Sequence, residues 1–256
     1  MRRETQNVLL ILLGGALVKI ALNGDYLRYV KPAQQPWIIA GGAVMVVLGV
    51  VAIVRDVLGA RAQARPSAPG AAPGPPGDAH GHGPGEGHHH AARSAWLLVL
   101  PVLAVFLVAP PALGADSVTR TEARAPQSAA AADAAVFPPL PADPVVSLPL
   151  NQFVSRAGWD RNGTLNDRTV SLSGFVVHSG GGTLLARLVI TCCAADAYPV
   201  TARLRGGDAG HLATDAWIEV TGRVVPGTAT KANGYTPDFA VATVKSIPAP
   251  KDPYEY

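Results

Sequence analysis

The sequence is poor in charge and in cysteine, and both shortages narrow what the protein can be. Only 15% of its 256 residues are charged, against about 25% in a typical soluble protein. Its net charge of +3 comes from scattered lysines and arginines, so there is no clustered basic face and we expect no nucleic acid among its partners. Its two cysteines are too few for a disulfide framework or for a closed zinc site, which normally takes four ligands.

The sequence also lacks the motifs of the common enzyme classes. It contains no phosphate-binding glycine loop, no Gly-x-Ser-x-Gly nucleophile elbow and no His-Glu-x-x-His zinc motif. We therefore expect a protein that is not an enzyme.

Long apolar runs are present near the N-terminus. One extends from Val8 to Leu22, and a second, Pro36 to Val54, carries no charge. A membrane-spanning helix needs about 20 such residues, so we expect two transmembrane helices within residues 1–58. The first has no small-residue cleavage site after it and is interpreted as an anchor. The second contains small residues that favour close helix packing, namely Gly41, Gly42 and Gly49.

A third apolar run, Trp96 to Leu113, is interrupted by Pro101 and by a later proline pair. It predicts a third transmembrane helix over 95–115. The residues around Ala115 have a faint likeness to a signal-peptidase site, so cleavage there stays open as an alternative.

Residues 59–94 are rich in proline and glycine and predict a disordered cytoplasmic loop. The loop contains histidines that indicate a weak site for divalent metals or, alternatively, a neutral spacer. They are His80, His82, His88, His89 and His90.

Basic residues near the helix ends are somewhat more numerous on the side of the N-terminus. Because cytoplasmic loops are enriched in lysine and arginine, we expect the N-terminus inside the cell. Three spans then make this a multi-pass protein of the cell membrane, with an extracytoplasmic C-terminal domain.

The remainder of the chain predicts a linker over 116–146, which is rich in alanine and proline, and an all-β domain over 147–256. Leu150, Phe153 and Val154 have near-helical spacing and predict one short helix before Gly158. Strand patterns follow at 169–177, 184–191, 200–204, 217–225 and 239–247.

Glycines interrupt two of these predicted strands, at Gly174 and Gly222, where we expect bends or bulges. Five short strands of this kind favour a small barrel of the oligonucleotide/oligosaccharide-binding (OB) type, preceded by one short helix. The predicted fold class is therefore a helical membrane part followed by an all-β OB-like domain.

Four stretches of the chain resemble the YcgQ-like family of bacterial membrane proteins. They are Leu27-Arg28-Tyr29-Val30, Ser173-Gly174-Phe175-Val176, Arg187-Leu188-Val189-Ile190-Thr191-Cys192-Cys193-Ala194-Ala195-Asp196-Ala197 and Trp217-Ile218-Glu219-Val220-Thr221-Gly222. The resemblance implies a subunit of a two-component permease, with a larger multi-helix permease encoded nearby as its partner. The histidine-containing tract departs from the family pattern.

Both cysteines lie side by side, at Cys192 and Cys193. Neighbouring side chains of a strand point to opposite faces, so the two sulfurs would share one ion only if the chain turns there. Three interpretations stay open: a small apolar core residue, redox chemistry of a strained pair, or ligation of zinc or copper(I) with help from Asp196 or His178. Asp196 has its own alternative, which is to tie the turn through backbone hydrogen bonds.

These features together predict an accessory subunit of a membrane permease, in contact with the lipid bilayer. Its outer β domain would dock on the partner or handle a thiophilic metal ion. Two alternatives are a membrane-anchored extracytoplasmic thiol-redox protein and a ligand-binding module of the OB type.

Overall fold

The computed structural model describes residues 3–63, 99–108, 111–121, 137–207 and 209–256. These residues belong to two compact units. The helical unit combines Met1–Asn23 with Gln34–Pro110, and the β unit combines Gly24–Ala33 with Pro111–Tyr256. The loop that follows the first helix is thus part of the β unit.

The described helices of the helical unit are α1 (Arg3–Asn23), α2 (Gln35–Gln63) and α3 (Val99–Leu107). α1 and α2 pack as a hairpin with glycines at their contact: a Cβ on Gly42 would lie 2.9 Å from the Gly14 carbonyl oxygen, and one on Gly49 would lie 2.5 Å from Ile11. Such small residues let two helix backbones approach closely. Packing at Gly42 and Gly49 was predicted, whereas Gly41 has open space around it among the described residues.

Two of the described helices are long and apolar enough to cross a membrane. The segments that meet this length and composition are Gln6–Asn23, with a mean hydropathy of 1.6, and Pro32–Arg61, with 2.7. α3 has nine described residues, which is about 13 Å of helix against a hydrocarbon core of about 30 Å. The predicted third span over 95–115 is therefore not shown, and its last residues, 111–115, lie in the β unit.

The predicted loop over 59–94 begins too early, because α2 continues to Gln63. The remainder of that loop lies outside the described residues. This includes all five histidines that indicated a weak metal site, which are His80, His82, His88, His89 and His90.

The described part of the β unit is an all-β sheet of seven strands with two helices. The strands are β1 (Val145–Ser147), β2 (Thr169–Ser179), β3 (Gly182–Val189), β4 (Tyr198–Arg205), β5 (Trp217–Val224), β6 (Asp238–Ser246) and β7 (Tyr254–Glu255). The helices are α4 (Ala115–Arg120) and α5 (Leu150–Trp159). The five predicted strands are confirmed to within two residues at each end, and α5 is the predicted short helix, continuing past Gly158.

The strand pairings return to their starting point. β2 is antiparallel to both β3 and β5, β3 is antiparallel to β4, β4 is parallel to β6, and β6 is antiparallel to β5. The two shortest strands add to this circuit in parallel, β1 beside β2 and β7 beside β3.

The two predicted bend positions carry the irregularities of the sheet. The β5–β6 register shifts between Thr221 and Gly222, which is a bulge. Gly174 lies where β2 passes from pairing with β5 to pairing with β3, and a Cβ there would lie 2.6 Å from the Ala186 carbonyl oxygen. A larger side chain at Gly174 would meet backbone, so the close approach requires glycine.

Buried apolar side chains form the interior of the described β unit. Phe153 of α5 meets Phe239 of β6 edge to face, with ring centroids 5.4 Å apart, and both are fully buried. A second apolar cluster covers the other face of β2 and β3, where Leu188 packs with α4 and Tyr254. Because β3 is buried on both faces, its sequence is mostly apolar instead of alternating, with Arg187 as its one charged residue.

The predicted linker over 116–146 is wrong at both ends. α4 begins at Ala115 and buries Ala115 and Val118 in the second cluster. At the other end, β1 pairs with β2 from Val145 onward. The middle of the predicted linker, 122–136, lies outside the described residues.

Candidate functional site

The cysteines lie in the connection between β3 and β4, which we call the cysteine turn (residues 191–196). It begins directly after the buried Ile190, whose N–H donates to the Glu255 carbonyl oxygen at 3.0 Å. The chain then leaves the sheet, and Ala194–Asp196 forms a single 3-10 turn. A doubly buried strand thus leads into an exposed tip.

Asp196 holds this turn together. Its Oδ1 accepts the Thr191 N–H at 2.9 Å and its Oδ2 accepts the Cys192 N–H at 2.8 Å. Desolvation is the largest single influence and raises the pKa of Asp196, but hydrogen bonds from the Thr191, Cys192 and Cys193 amides and the Cys192 thiol outweigh it and lower that pKa overall. Asp196 is therefore an ionised carboxylate that ties the turn, the structural role that the sequence allowed.

The turn brings the two sulfurs to the same side. One ligand atom from each of Cys192, Cys193 and Asp196 lies within 4.8 Å of the others. Both cysteines are free thiols; Cys192 is exposed and Cys193 is half-buried. Neither is a core residue, so the interpretation of a buried apolar cysteine is wrong.

The surroundings of Cys192 disfavour its thiolate. Its hydrogen bond to Cys193 is the largest influence, and the charge of Cys193, desolvation and the Asp196 carboxylate add to it, so that the pKa of Cys192 is raised above its ordinary value. Three groups that can each become an anion repel one another at this distance, and a cation that binds among them relieves that repulsion.

His178 lies elsewhere in the β unit. It pairs with Thr183 at the start of β3, and its Nε2 is 2.8 Å from the Leu212 carbonyl oxygen. The cysteine turn follows the opposite end of β3, about 20 Å away at 3.3 Å per strand residue. The predicted contribution of His178 to a site with the cysteines is therefore wrong.

The loop between α1 and α2 pairs with the cysteine turn. Val30 and Cys193 form an antiparallel β-bridge. The Ala194 N–H donates to the Tyr29 carbonyl oxygen at 2.7 Å, and the Lys31 N–H approaches the Cys192 carbonyl oxygen at 3.4 Å. Sequence reasoning missed this pairing, because nothing in the local patterns links the two distant segments.

The hydroxyl of Tyr254 fastens the same loop from β7. It donates to the Arg28 carbonyl oxygen at 3.0 Å and accepts the Leu113 N–H at 3.2 Å. Tyr254 is itself buried. The first loop, the segment before α4 and the C-terminal strand therefore meet at one side chain.

A buried ion pair lies beside this contact. Arg187 Nε is 3.4 Å from Glu255 Oε1, and the Arg187 guanidinium lies 4.9 Å from the Trp217 ring centroid. Burial raises the pKa of Glu255 and lowers that of Arg187, despite their mutual attraction. Desolvation thus dominates, and the surrounding packing holds the pair in place.

Comparison with known families places the cysteine turn within a recognised domain. Residues 160–256 match the DUF1980 C-terminal domain, which is consistent with the resemblance to the YcgQ-like family. The match covers β2 to β7 but neither the apolar helices nor the first loop. No curated protein and no solved structure matches the chain.

Substituting Asp196→Asn tests its structural role. The amide has one acceptor oxygen, and charge-assisted hydrogen bonds contribute about 1.5 kcal/mol or more, so we expect the protection factors of the Thr191 and Cys192 amides to fall roughly 10-fold. The lowered pKa means that the carboxylate stabilises the turn above its unfolded-state value of about 3.9. In the wild type, protection is therefore lost as pH falls through the lower folded-state pKa.

Hydrogen exchange corrected for intrinsic rates measures both effects. The matched control is Asp160→Asn, because Asp160 accepts the Asn162 and Thr164 amides in a different turn. Unchanged protection in Asp196→Asn would contradict the assignment.

Proposed function

We propose that this protein is a membrane-anchored accessory subunit whose β unit binds a thiophilic metal ion at Cys192, Cys193 and Asp196. The observation that carries the proposal is the mutual distance of their ligand atoms, within 4.8 Å. Two thiolates that each lie about 2.3 Å from one tetrahedral zinc ion are about 3.8 Å apart. The 4.8 Å bound on the ligand atoms includes that separation. Soft sulfur ligands select zinc or copper(I) over magnesium or calcium.

Asp196 serves both the turn and the ion in this proposal. A carboxylate offers about four acceptor positions, which three backbone amides and the Cys192 thiol share. The thiol gives up its position when it loses its proton to bind the ion. Hydrogen-bonded carboxylates are common metal ligands, since the bonds orient them. Three protein ligands leave a fourth tetrahedral position for water or for a ligand from a partner, as in sites that exchange what they bind.

Metal analysis of the full chain in detergent, titrated with Zn²⁺ and with Cu⁺, tests the site. We expect one ion per chain and a loss of affinity of more than about 10-fold in Cys192→Ser and in Cys193→Ser, since even outer-shell changes weaken metal sites by 10- to 100-fold. Ala195→Ser, an exposed change in the same turn, should bind as the wild type. If the wild type binds neither Zn²⁺ nor Cu⁺, the proposal is overturned.

Thiol-redox chemistry is the second candidate, and the contact between two free sulfurs favours it. Two physical points weigh against it. Neighbouring Cα atoms are about 3.8 Å apart, whereas disulfides usually need about 4.4–6.8 Å. A raised thiol pKa also leaves Cys192 mostly protonated at neutral pH, and the thiolate is the nucleophile.

We infer further that the circuit of strand pairings is a five-stranded OB-like barrel. The parallel β4–β6 pair and the antiparallel order around the remaining strands support this inference. Fully buried side chains, Phe153, Ile218 and Phe239, occupy the interior. A ligand-binding module of this type would therefore have to use its surface.

We propose that the β unit lies outside the cytoplasm. What supports this is the first loop, which forms one unit with residues 111–256 and so shares their side of the membrane. The chain between them then crosses an even number of times. With α2 as one crossing, the third apolar run supplies the other, and the basic residues near the N-terminus keep that end inside.

Labelling of the two cysteines tests the sidedness without any substitution, because the chain has no other cysteine. In cells or spheroplasts, a membrane-impermeant maleimide should label exposed Cys192 before permeabilisation. The Cys192→Ser variant reports labelling at Cys193 alone. Labelling that requires permeabilisation would contradict the topology.

The partner, a multi-helix permease encoded nearby, is proposed from the family resemblance. Exposed apolar side chains on α2 support contact with lipid or with partner helices; they include Val44, Val47, Leu48 and Leu58. The full chain purified under mild detergent should retain this partner at a fixed ratio. Recovery of the chain alone, under conditions that preserve its folded state, would contradict the assignment.

A further inference from the structure

We propose that metal occupancy of the cysteine turn controls how tightly loop residues 29–31 are held. This inference rests on the metal-binding function proposed above and assigns that site a regulatory output. The loop connects α1 to α2, so the site would act on the membrane hairpin through the chain itself.

The residues that carry the ligand atoms also make the pairing. Cys192 offers its sulfur, and its carbonyl oxygen faces the Lys31 N–H at 3.4 Å. Cys193 offers the second sulfur and forms the bridge to Val30. The next N–H, that of Ala194, makes the short 2.7 Å bond to Tyr29. Sulfur position and pairing geometry therefore depend on the same backbone torsions.

Pairing with residues 29–31 requires the backbone torsions of the cysteine turn to be fixed, which costs conformational entropy. A bound ion fixes the same torsions, so the pairing then costs less. The two events then favour each other, and thermodynamic reciprocity makes the effect equal in both directions. Ligand–ligand couplings of this kind are commonly about 5- to 150-fold in affinity. The exposed tip is suited to such coupling, because Cys192 and Asp196 have little packing to hold them.

The loop has a second attachment that does not involve the ligands. The Arg28 carbonyl oxygen is held by the Tyr254 hydroxyl at 3.0 Å, and the Tyr254 side chain is buried. The first part of the loop therefore stays docked in either state. Only the part that leads into α2, from Tyr29 onward, would respond to the ion.

Two proline variants remove the pairing from opposite sides. Ala194→Pro deletes the N–H that binds Tyr29; Ala194 begins a 3-10 turn, where proline is accepted, and Cys193 is extended, with ψ 169°, as a residue before proline prefers. Lys31→Pro deletes the loop's own N–H and leaves the turn untouched. Ala194→Ser and Lys31→Gln are the matched controls, because each keeps the N–H.

The full chain in detergent is titrated with Zn²⁺ and with Cu⁺, and amide exchange is followed with and without the bound ion. We expect both proline variants to weaken binding by about 5-fold or more and both controls to stay within about 2-fold. In the wild type, the ion should slow exchange at the Ala194 and Lys31 amides. Tryptophan fluorescence checks folding, and if Ala194→Pro unfolds, the Lys31 pair decides.

The possible failures are distinguishable. Wild-type affinity in a folded Lys31→Pro variant, with exchange unaffected by the ion, overturns the coupling and leaves metal binding intact. Absence of binding to the wild type overturns the metal site itself.

Discussion

The main-chain pairing between the first loop and the cysteine turn is the contact on which the proposed location and output of the site depend. Backbone N–H and C=O groups that leave water need partners, and residues 29–31 supply them to a turn that extends beyond the sheet. Because this contact joins residues that are far apart in sequence, it constrains the path of the chain between residue 31 and the cysteine turn. On the proposed topology, it makes the third apolar run a crossing segment.

The rigid strand β3 leads within a few residues into the exposed cysteine turn. β3 is covered on both faces, up to Ile190, so its direction is set by packing. Beyond it, Asp196 collects backbone amides and bends the chain. That bend lets consecutive cysteines share one side, which an extended strand would forbid.

Local sequence patterns predicted most strands of the fold but little of the geometry of the candidate site. The five long strands and α5 were predictable because alternation and helical spacing are properties of neighbouring residues. β1 and β7, of three and two residues, are too short for a periodic signal and exist through distant pairing. Alanine-rich composition concealed α4, whose burial depends on Ala115 and Val118 meeting a remote face. The sequence suggested that His178 and the cysteines share a site. In the structure, His178 lies beside the start of β3 and the cysteines follow its end, which their spacing in the sequence does not show.

The capping of α5 affects how the β unit acquires its structure. No side chain caps the helix locally at Pro149; instead the Glu255 carboxylate accepts the Leu150 and Asn151 amides at 2.8 and 2.7 Å. A helix of ten residues is marginal in isolation. Formation of α5 therefore depends on the docking of β7, and before β7 docks Phe153 is not fixed in the interior. Such dependence on distant contacts slows folding, so the apolar face of α5 would stay exposed until β7 has docked.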